Sequence, residues 1–406
     1  MEHNQYTKLE LIQAQVSFIP ERWKLDKVGK ALNIRNNLRK PISQEVRSTI
    51  QGQYPYYGPT RIQDYISEYE QDGIYALIGE DGDHFLKYST MRQTQLISGK
   101  CTVNNHAHIL ESTNKCGAEW FYIFFKHRNI TNFLSRQGAS RFKLNKATLE
   151  KLPMLVPPLP EQRKIAKILS TWDKAISTTE RLIGNSKQQK KALMQQLLTG
   201  KKRLFDDSGK PFEGEWEEFK LSKVAEVVMG SSPKSSSYNE NSEGLPLIQG
   251  NADIKNRKSA PRIYTSEVTK KCSLGDILLS VRAPVGTIAK SEHEACIGRG
   301  ISAIRAKKHH LQEYLYQWLL WFEPRWEKYS QGSTFEAVNS NDIKSLHLAV
   351  PTHSEQTKIA SVLSNADQEI ELLEKQLADL KQEKKSLMQQ LLTGKRRVKL
   401  SDKEVA

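Results

Sequence analysis

Residues 161–203 read EQRKIAKILSTWDKAISTTERLIGNSKQQKKALMQQLLTGKKR, and residues 355–397 read EQTKIASVLSNADQEIELLEKQLADLKQEKKSLMQQLLTGKRR. The two stretches align without a gap at an offset of 194 residues and are identical at 24 of 43 positions. A period this long is not a solenoid repeat. It describes two related halves, each a globular segment followed by a long helix. A chain built this way carries an approximate two-fold axis, and duplex DNA is a partner of matching symmetry.

Within the second copy, Leu363, Ala366, Ile370, Leu373, Leu377, Leu380, Lys384, Leu387 and Leu391 alternate spacings of three and four, an a/d heptad seam. The first copy keeps the register with Leu169, Trp172, Ile176, Thr179, Ile183, Ser186, Lys190, Leu193 and Leu197. VPPLP at 156–160 precedes the first helix, and Gly200 is placed to cap its end. Some 38 helical residues make a rod of about 57 Å. The apolar residues of the two seams predict that the helices pack on each other, antiparallel. Lys190 and Lys384 fall at matching seam positions, which predicts that part of the groove stays open to solvent or to helices of another protein.

The doubling reaches further upstream. RQGASRFKLNKATLEKLPMLVPPLPEQ precedes the first helix and SQGSTFEAVNSNDIKSLHLAVPTHSEQ the second, while KLDKV at 24–28 answers KLSKV at 220–224. Between these anchors, residues 29–118 and 225–312 differ strongly. One frame with two interiors predicts two modules of one architecture and different ligands. Short apolar runs bounded by Gly, Asp or Pro, such as IYALIG (74–79) and DILLSV (276–281), read as buried strands. AEWFYIFFKH (118–127) and LQEYLYQWLLWF (311–322) read as helices whose aromatics fill a core.

The 406 residues allow two to three domains. Sixty-one basic against 46 acidic side chains give a formal charge of +15, which points to a polyanionic partner. Cys101, Cys116, Cys272 and Cys296 are widely spaced, without a CxxC pair, which argues against a zinc site or a disulfide framework. The polar start MEHNQYTKLELIQAQ and the lack of an apolar run of membrane-spanning length predict a soluble, cytoplasmic protein.

No catalytic constellation emerges. GxGxxG followed by an acidic residue and GxxxxGK[ST] are missing, as are the Asn/Asp-Pro-Pro-aromatic and Pro-Cys motifs of DNA methyltransferases and the Pro-Asp…Glu-x-Lys pattern of nucleases. The polar residues that remain suit binding. Arg, Asn and Gln make bidentate bonds to guanine or adenine edges, and hydroxyls, lysines and backbone N–H groups meet phosphates. In the first module the DNA-binding candidates are Tyr54, Tyr56, Tyr57 and Arg61 around a Gly-Pro turn, His84, Lys87 and Arg92, and Asn104, Asn105 and His106. In the second they are Ser231, Ser232 and Lys234, Gln249 and Asn251, Lys255 and Arg257, Arg282, Arg299, Gln331 and Ser333. A stand-alone methyltransferase or nuclease, or a coiled-coil scaffold with no nucleic-acid role, are the competing readings.

The motifs YPYYGPTRI, LIGEDGDHF and VNNHAHIL, then GSSPKSSSYNENSEGLPLIQGNADI, GDILLSVRAPVGTIAKS and IGRGISAIRA, resemble the specificity (S, HsdS) subunit of type I restriction-modification systems. The tail SQGSTFEAVNSNDIKSLHLAVP, followed by EQTKIASVLS and SLMQQLLTGK, is similar to that family's helical region, and the likeness covers nearly the whole chain. The resemblance implies a mixed α/β fold with two target-recognition domains, each followed by a spacer helix, the helices forming an antiparallel coiled coil with pseudo-two-fold symmetry. On this reading residues 1–156 and 204–350 are the recognition domains, 157–203 and 351–397 the spacer helices, and 398–406 a tail. It further implies that each domain reads half of a bipartite double-stranded DNA target through the major groove, and that the helices set the gap between the halves. The subunit is then non-catalytic and binds no cofactor. It recruits two modification subunits that methylate adenine with S-adenosylmethionine, and through them restriction subunits that use ATP and Mg; no membrane is involved. Arg61 stands where the family more often has Gly, and His353-Ser354 replaces the family's Leu-Pro, which Leu159-Pro160 keeps.

Overall fold

A computed structural model describes residues 6–137, 141–326 and 337–400. The chain forms two units: residues 1–179 with 376–406, and residues 180–375. Each unit thus takes one globular module, part of the helix that follows it and part of the other long helix.

In the first unit a six-stranded sheet has the order Asn33–Ile34, Ala107–Glu111, Gln71–Gly79, Thr94–Val103, Gln51–Tyr57, Ile62–Ile66. All neighbours are antiparallel except Thr94–Val103 and Gln51–Tyr57, where Tyr56 lies opposite Thr102. Ala76, Leu77, Ile78 and Gly79 are buried in succession because both faces of that strand are covered, which is why the sequence shows a run instead of an alternation. The helix Ala118–Phe125 supplies the expected aromatic core: Trp120, Phe121, Phe124 and Phe125 are buried, and Trp120 Nε1 donates to the Leu155 carbonyl at 2.7 Å.

In the second unit the six-stranded sheet runs Ala225–Met229, Ile301–Ala306, Ile277–Ser280, Ile288–Lys290, Lys258–Ser259, Ile254–Lys255. A further five-stranded sheet runs Tyr238–Asn239, Ile263–Thr265, Leu245–Ile248, Ala295–Ile297, Lys271–Cys272. The helix Gln312–Phe322 repeats the role of its counterpart, with Tyr314 hydroxyl donating to the Ala349 carbonyl at 3.1 Å.

The two six-stranded sheets share a plan. The first strand of the sheet lies at one edge with the last strand beside it; an antiparallel pair follows, then a parallel step to a two-stranded flap. The parallel step meets the earlier flap strand in the first unit and the later one in the second. Each module is closed by a two-stranded ribbon, Lys24–Lys27 with Pro153–Val156 and Glu217–Lys220 with His347–Val350; KLDKV supplies the first ribbon's strand, whereas KLSKV shares only Lys220 with the second and continues as the helix Leu221–Val224.

The long helices span Leu159–Leu197 and His353–Leu391, 39 residues each. Gln162 and Gln356 fix their first turns in the same way, donating to the Pro157 and Pro351 carbonyls at 2.7 and 2.9 Å. His353-Ser354 therefore leaves the start of the second helix unchanged. Gly200 and Gly394 follow the helices at φ +69° and +68°, a left-handed conformation that a residue with a Cβ rarely adopts.

All nine seam positions expected on each helix are buried or half-buried. The open groove expected at the lysines is not found. Lys190 and Lys384 are each only 9% exposed, and each ammonium donates to a carboxylate of the other long helix at 2.5 Å, Lys190 to Asp367 and Lys384 to Asp173. Burial pushes Lys384 below the usual lysine range. Burial alone would raise Asp173, but the bond from Lys384 and the neighbouring Lys126 ammonium hold it below the usual carboxylate range. The carboxylates, one residue past a seam position, are what make the buried lysines tolerable.

A second matched arrangement caps each helix start. In the first unit Glu161 is buried, accepts from Trp23 Nε1 at 3.1 Å, and is held by both arms of Arg397. In the second unit Glu355 accepts from Trp216 Nε1 at 3.2 Å and from Arg203 Nε and Nη2 at 2.6 and 2.7 Å. Each guanidinium also lies over its indole, at 5.7 and 5.9 Å.

Candidate nucleic-acid interface

In the second unit, strands from both sheets end together and their following loops interlock. Ser231 N donates to the Ile297 carbonyl, Gly298 N to Ile248, Val281 N to Gly300, and Arg299 N to Ser232 Oγ at 3.2 Å. Glycine is required at two of these points: a Cβ on Gly230 would collide with the Gly298 carbonyl, and one on Gly300 with the Gln249 carbonyl. The loop carrying Gln249 and Asn251 is pinned by buried Asp253, which accepts from Gln249 N at 2.8 Å and from Arg262 Nε at 2.9 Å. Ser231, Ser232, Gln249, Asn251, Arg282 and Arg299 therefore share one polar surface, with exposed Lys234 two residues beyond Ser232. Lys255 and Arg257 lie on the hairpin of Ile254–Lys255 with Lys258–Ser259. There the Arg257 guanidinium is engaged by Glu323 at 2.5 Å and by the Ile288 carbonyl at 3.1 Å. Gln331 and Ser333 lie outside the described residues.

The first unit gathers a comparable group. Asn104 N donates to the Tyr57 carbonyl at 3.0 Å, Gly58 N to Arg61 at 2.8 Å, and Glu80 N to His106 at 2.8 Å. Exposed Arg61, Asn105 and His106 thus sit together, with half-buried Tyr57 at the base. His106 Nδ1 lies 3.1 Å from Asp81. Tyr54 is elsewhere on the sheet, packed edge-on to Tyr69 at 5.0 Å with Lys100 over the Tyr69 ring. Lys87 is exposed beside Asp83, and Arg92 adds positive charge near buried Lys126.

Three candidates of the first module do not reach the surface. Tyr56 is 1% exposed; its hydroxyl accepts from Ile42 N at 2.9 Å and donates to the Lys40 carbonyl at 3.1 Å, tying down the chain before the sheet. His84 is buried against Phe85, 4.1 Å between ring centroids, and burial lowers its pKa, favouring the neutral ring. Asn104 is buried and holds its turn, donating to Gln63 at 3.0 Å and accepting from His106 N at 2.8 Å.

Sequence reading missed residues whose partners are far away in the chain. Arg39 donates to Glu80 at 2.6 Å and to the Asn105 carbonyl at 2.8 Å, and Lys143 lies 3.4 Å from Glu80, so both brace the first unit's loops. Asp253 does the same in the second, though its partners Gln249 and Arg262 lie only four and nine residues away. Among the described residues no group of three or more His, Cys, Asp or Glu side chains is placed to hold a metal ion, and no helix is long and apolar enough to cross a membrane. The four cysteines are buried, and burial pushes the Cys101 and Cys116 thiols up to about 12.

The description of the type I restriction modification DNA specificity domain matches residues 20–185 and, again, 213–382. A Methanocaldococcus jannaschii protein described as the MjaX specificity subunit of a type I restriction enzyme is 31% identical over 424 aligned residues, covering 97% of this chain and 98% of its own. The MjaVIII specificity subunit of the same organism is 25% identical over 406 residues, 94% of either chain. Among solved structures, the type I restriction-modification S subunit from M. genitalium has a TM-score of 0.66, covers 93% of this chain and 97% of its own, and at 13% identity shows the fold alone. With both modules matched by one specificity domain and a relative of this identity along nearly its full length, the chain belongs to the family of type I restriction-modification specificity subunits.

Proposed function

We propose that this chain is the non-catalytic reading subunit of its complex, in which each unit reads one half of a bipartite double-stranded DNA target in the major groove. The observation that carries this reading is one frame built twice around two different sets of braced polar loops. An exposed loop fixed by its neighbours presents side chains to a ligand without a large ordering cost on binding. The long helices pack antiparallel as a coiled coil. In the second unit Lys187 pairs with Glu374 at 2.7 Å while Lys190 pairs with Asp367, so the partner number falls as the residue number rises. The helices set the gap between half-sites and recruit two adenine-methylating modification subunits, and through them restriction subunits. S-adenosylmethionine and ATP with Mg serve those partners and supply the chemistry.

Phosphate contacts make log K fall steeply and linearly with log salt. Binding of the full chain with its modification subunits to target duplex, titrated across salt concentrations, should show that slope together with a preference for one bipartite sequence. A flat salt response would favour a scaffold without a nucleic-acid role. Methyl transfer by the chain alone would favour an enzyme.

A further inference from the structure

Resting on the reading above, we infer that Arg299 and Gln249 are the base-reading pair of the second unit, Arg299 taking a guanine and Gln249 an adenine on the neighbouring base pair. These two residues combine side chains without a partner among the described residues with backbones on loops that touch. Arg299 is exposed, and its guanidinium has no hydrogen bond or ion pair to any described residue. Its backbone is nevertheless fixed from both sides: Gly298 N donates to the Ile248 carbonyl, Arg299 N to Ser232 Oγ, and the Gly300 carbonyl accepts from Val281 N. A cation held on a fixed loop with no internal partner contributes little to the fold and is free to meet a ligand.

Gln249 stands on the adjoining loop, and its backbone N–H is bound by buried Asp253 while its side-chain amide has no partner among the described residues. The two loops are in direct contact, since a Cβ on Gly300 would overlap the Gln249 carbonyl and one on Gly298 would lie 3.1 Å from Gln249 Cα. Side chains leaving touching backbones are placed to reach neighbouring base pairs, which lie ~3.4 Å apart along the duplex. The planar fork of Arg matches guanine O6 and N7, and the amide of Gln matches adenine N6 and N7. Neighbouring residues suit a different task. The Ser232 hydroxyl is occupied by the Arg299 backbone, Arg257 is paired with Glu323, and Lys234 is a flexible point charge suited to phosphate.

The test is selection from a randomised duplex library by the full chain with its modification subunits, comparing wild type with Arg299→Ala, Arg299→Lys and Gln249→Ala. Arg299→Ala should flatten one G·C position of a single half-site, reducing its preference roughly 5- to 150-fold, the range for a good bidentate contact. Arg299→Lys keeps the charge but loses the fork, so it should flatten the same position. It also guards against a folding defect of the alanine variant. Gln249→Ala should flatten the adjacent A·T position and leave the other half-site unchanged. If both Arg299 variants lower binding evenly over all sequences, Arg299 is a phosphate contact and the inference is overturned while half-site reading stands. If wild type selects no sequence, half-site reading falls, and the inference with it.

Discussion

The half-buried Asp173 in the first unit, set between two buried lysines, carries the sharpest energetic consequence. It accepts from Lys384 at 2.5 Å and from Lys126 at 3.1 Å, and the two lysines are 9% and 2% exposed. Replacing Asp173 by Ala leaves two buried ammonium groups without a carboxylate. Removing one partner of a buried pair costs about 3–5 kcal/mol, most of it the desolvation of the charge left behind. For a unit of this size each kcal/mol moves the midpoint by about 2–4 °C, so Asp173→Ala should lower the Tm of the first unit by about 6–20 °C. Lys384→Met should behave differently, because Asp173 keeps Lys126 and an apolar side chain of similar length fills the seam; a change within about 1 kcal/mol is expected. The double variant should recover part of the loss, giving a coupling energy of about 1–3 kcal/mol in a double-mutant cycle. Thermal unfolding followed by circular dichroism, with hydrogen exchange over residues 165–180 to locate the effect, reads all four proteins. If Lys384→Met costs as much as Asp173→Ala, attraction rather than desolvation governs the site and this reasoning is wrong.

The caps at the helix starts predict a matched pair of defects. Arg397→Ala and Arg203→Ala each strip the guanidinium from a buried glutamate, Glu161 or Glu355, and each should cost about 3 kcal/mol or more, with Trp fluorescence reporting the loosened indole. Equal stability of either variant and wild type would contradict a paired buried charge. Burial lowers the pKa of His84 and His127, against the opposing pull of Asp81 and Asp83 on His84. The unfolded chain therefore takes up these protons first, near pH ~6.5, and stability falls as pH drops from there through the folded values. The Tm should decline between pH 7 and pH 5, less so in His84→Gln; a flat wild-type profile would refute the assignment. Gly184 is exposed, with nothing within 4 Å of a Cβ placed there. Four residues inserted beside it, about one turn or ~6 Å, should widen the unread gap of the target by one or two base pairs without changing either half-site. An unchanged gap preference in an active insertion variant would remove the helices' role as spacers.

The seam was legible because 3/4 spacing over many turns leaves little choice of face, and the structure buries or half-buries every position the spacing named. The lysines were misread because a seam position alone does not reveal its partner. Yet the sequence held a clue: Asp173 and Asp367 recur at the same offset as Lys190 and Lys384. Glu161 and Glu355, with Arg203 and Arg397, recur in the same way. The sheets were legible where strands are long and apolar, as at Gln71–Gly79. The two-residue strands of the second unit, such as Lys258–Ser259, gain their identity from distant neighbours and leave no periodic signal. The candidate surface was half legible. Residue type named Ser231, Gln249 and Arg299, which the structure leaves exposed or half-buried, but it also named Tyr56 and His84, which the structure buries.

Exchanging residues 225–312 for the equivalent stretch of another family member, in a host supplying the modification subunits, and mapping methylated adenines genome-wide tests half-site reading most directly. Independent reading by each unit predicts a bipartite motif in which one half changes and the other half and the gap persist. A motif that changes in both halves, or in neither, would contradict it.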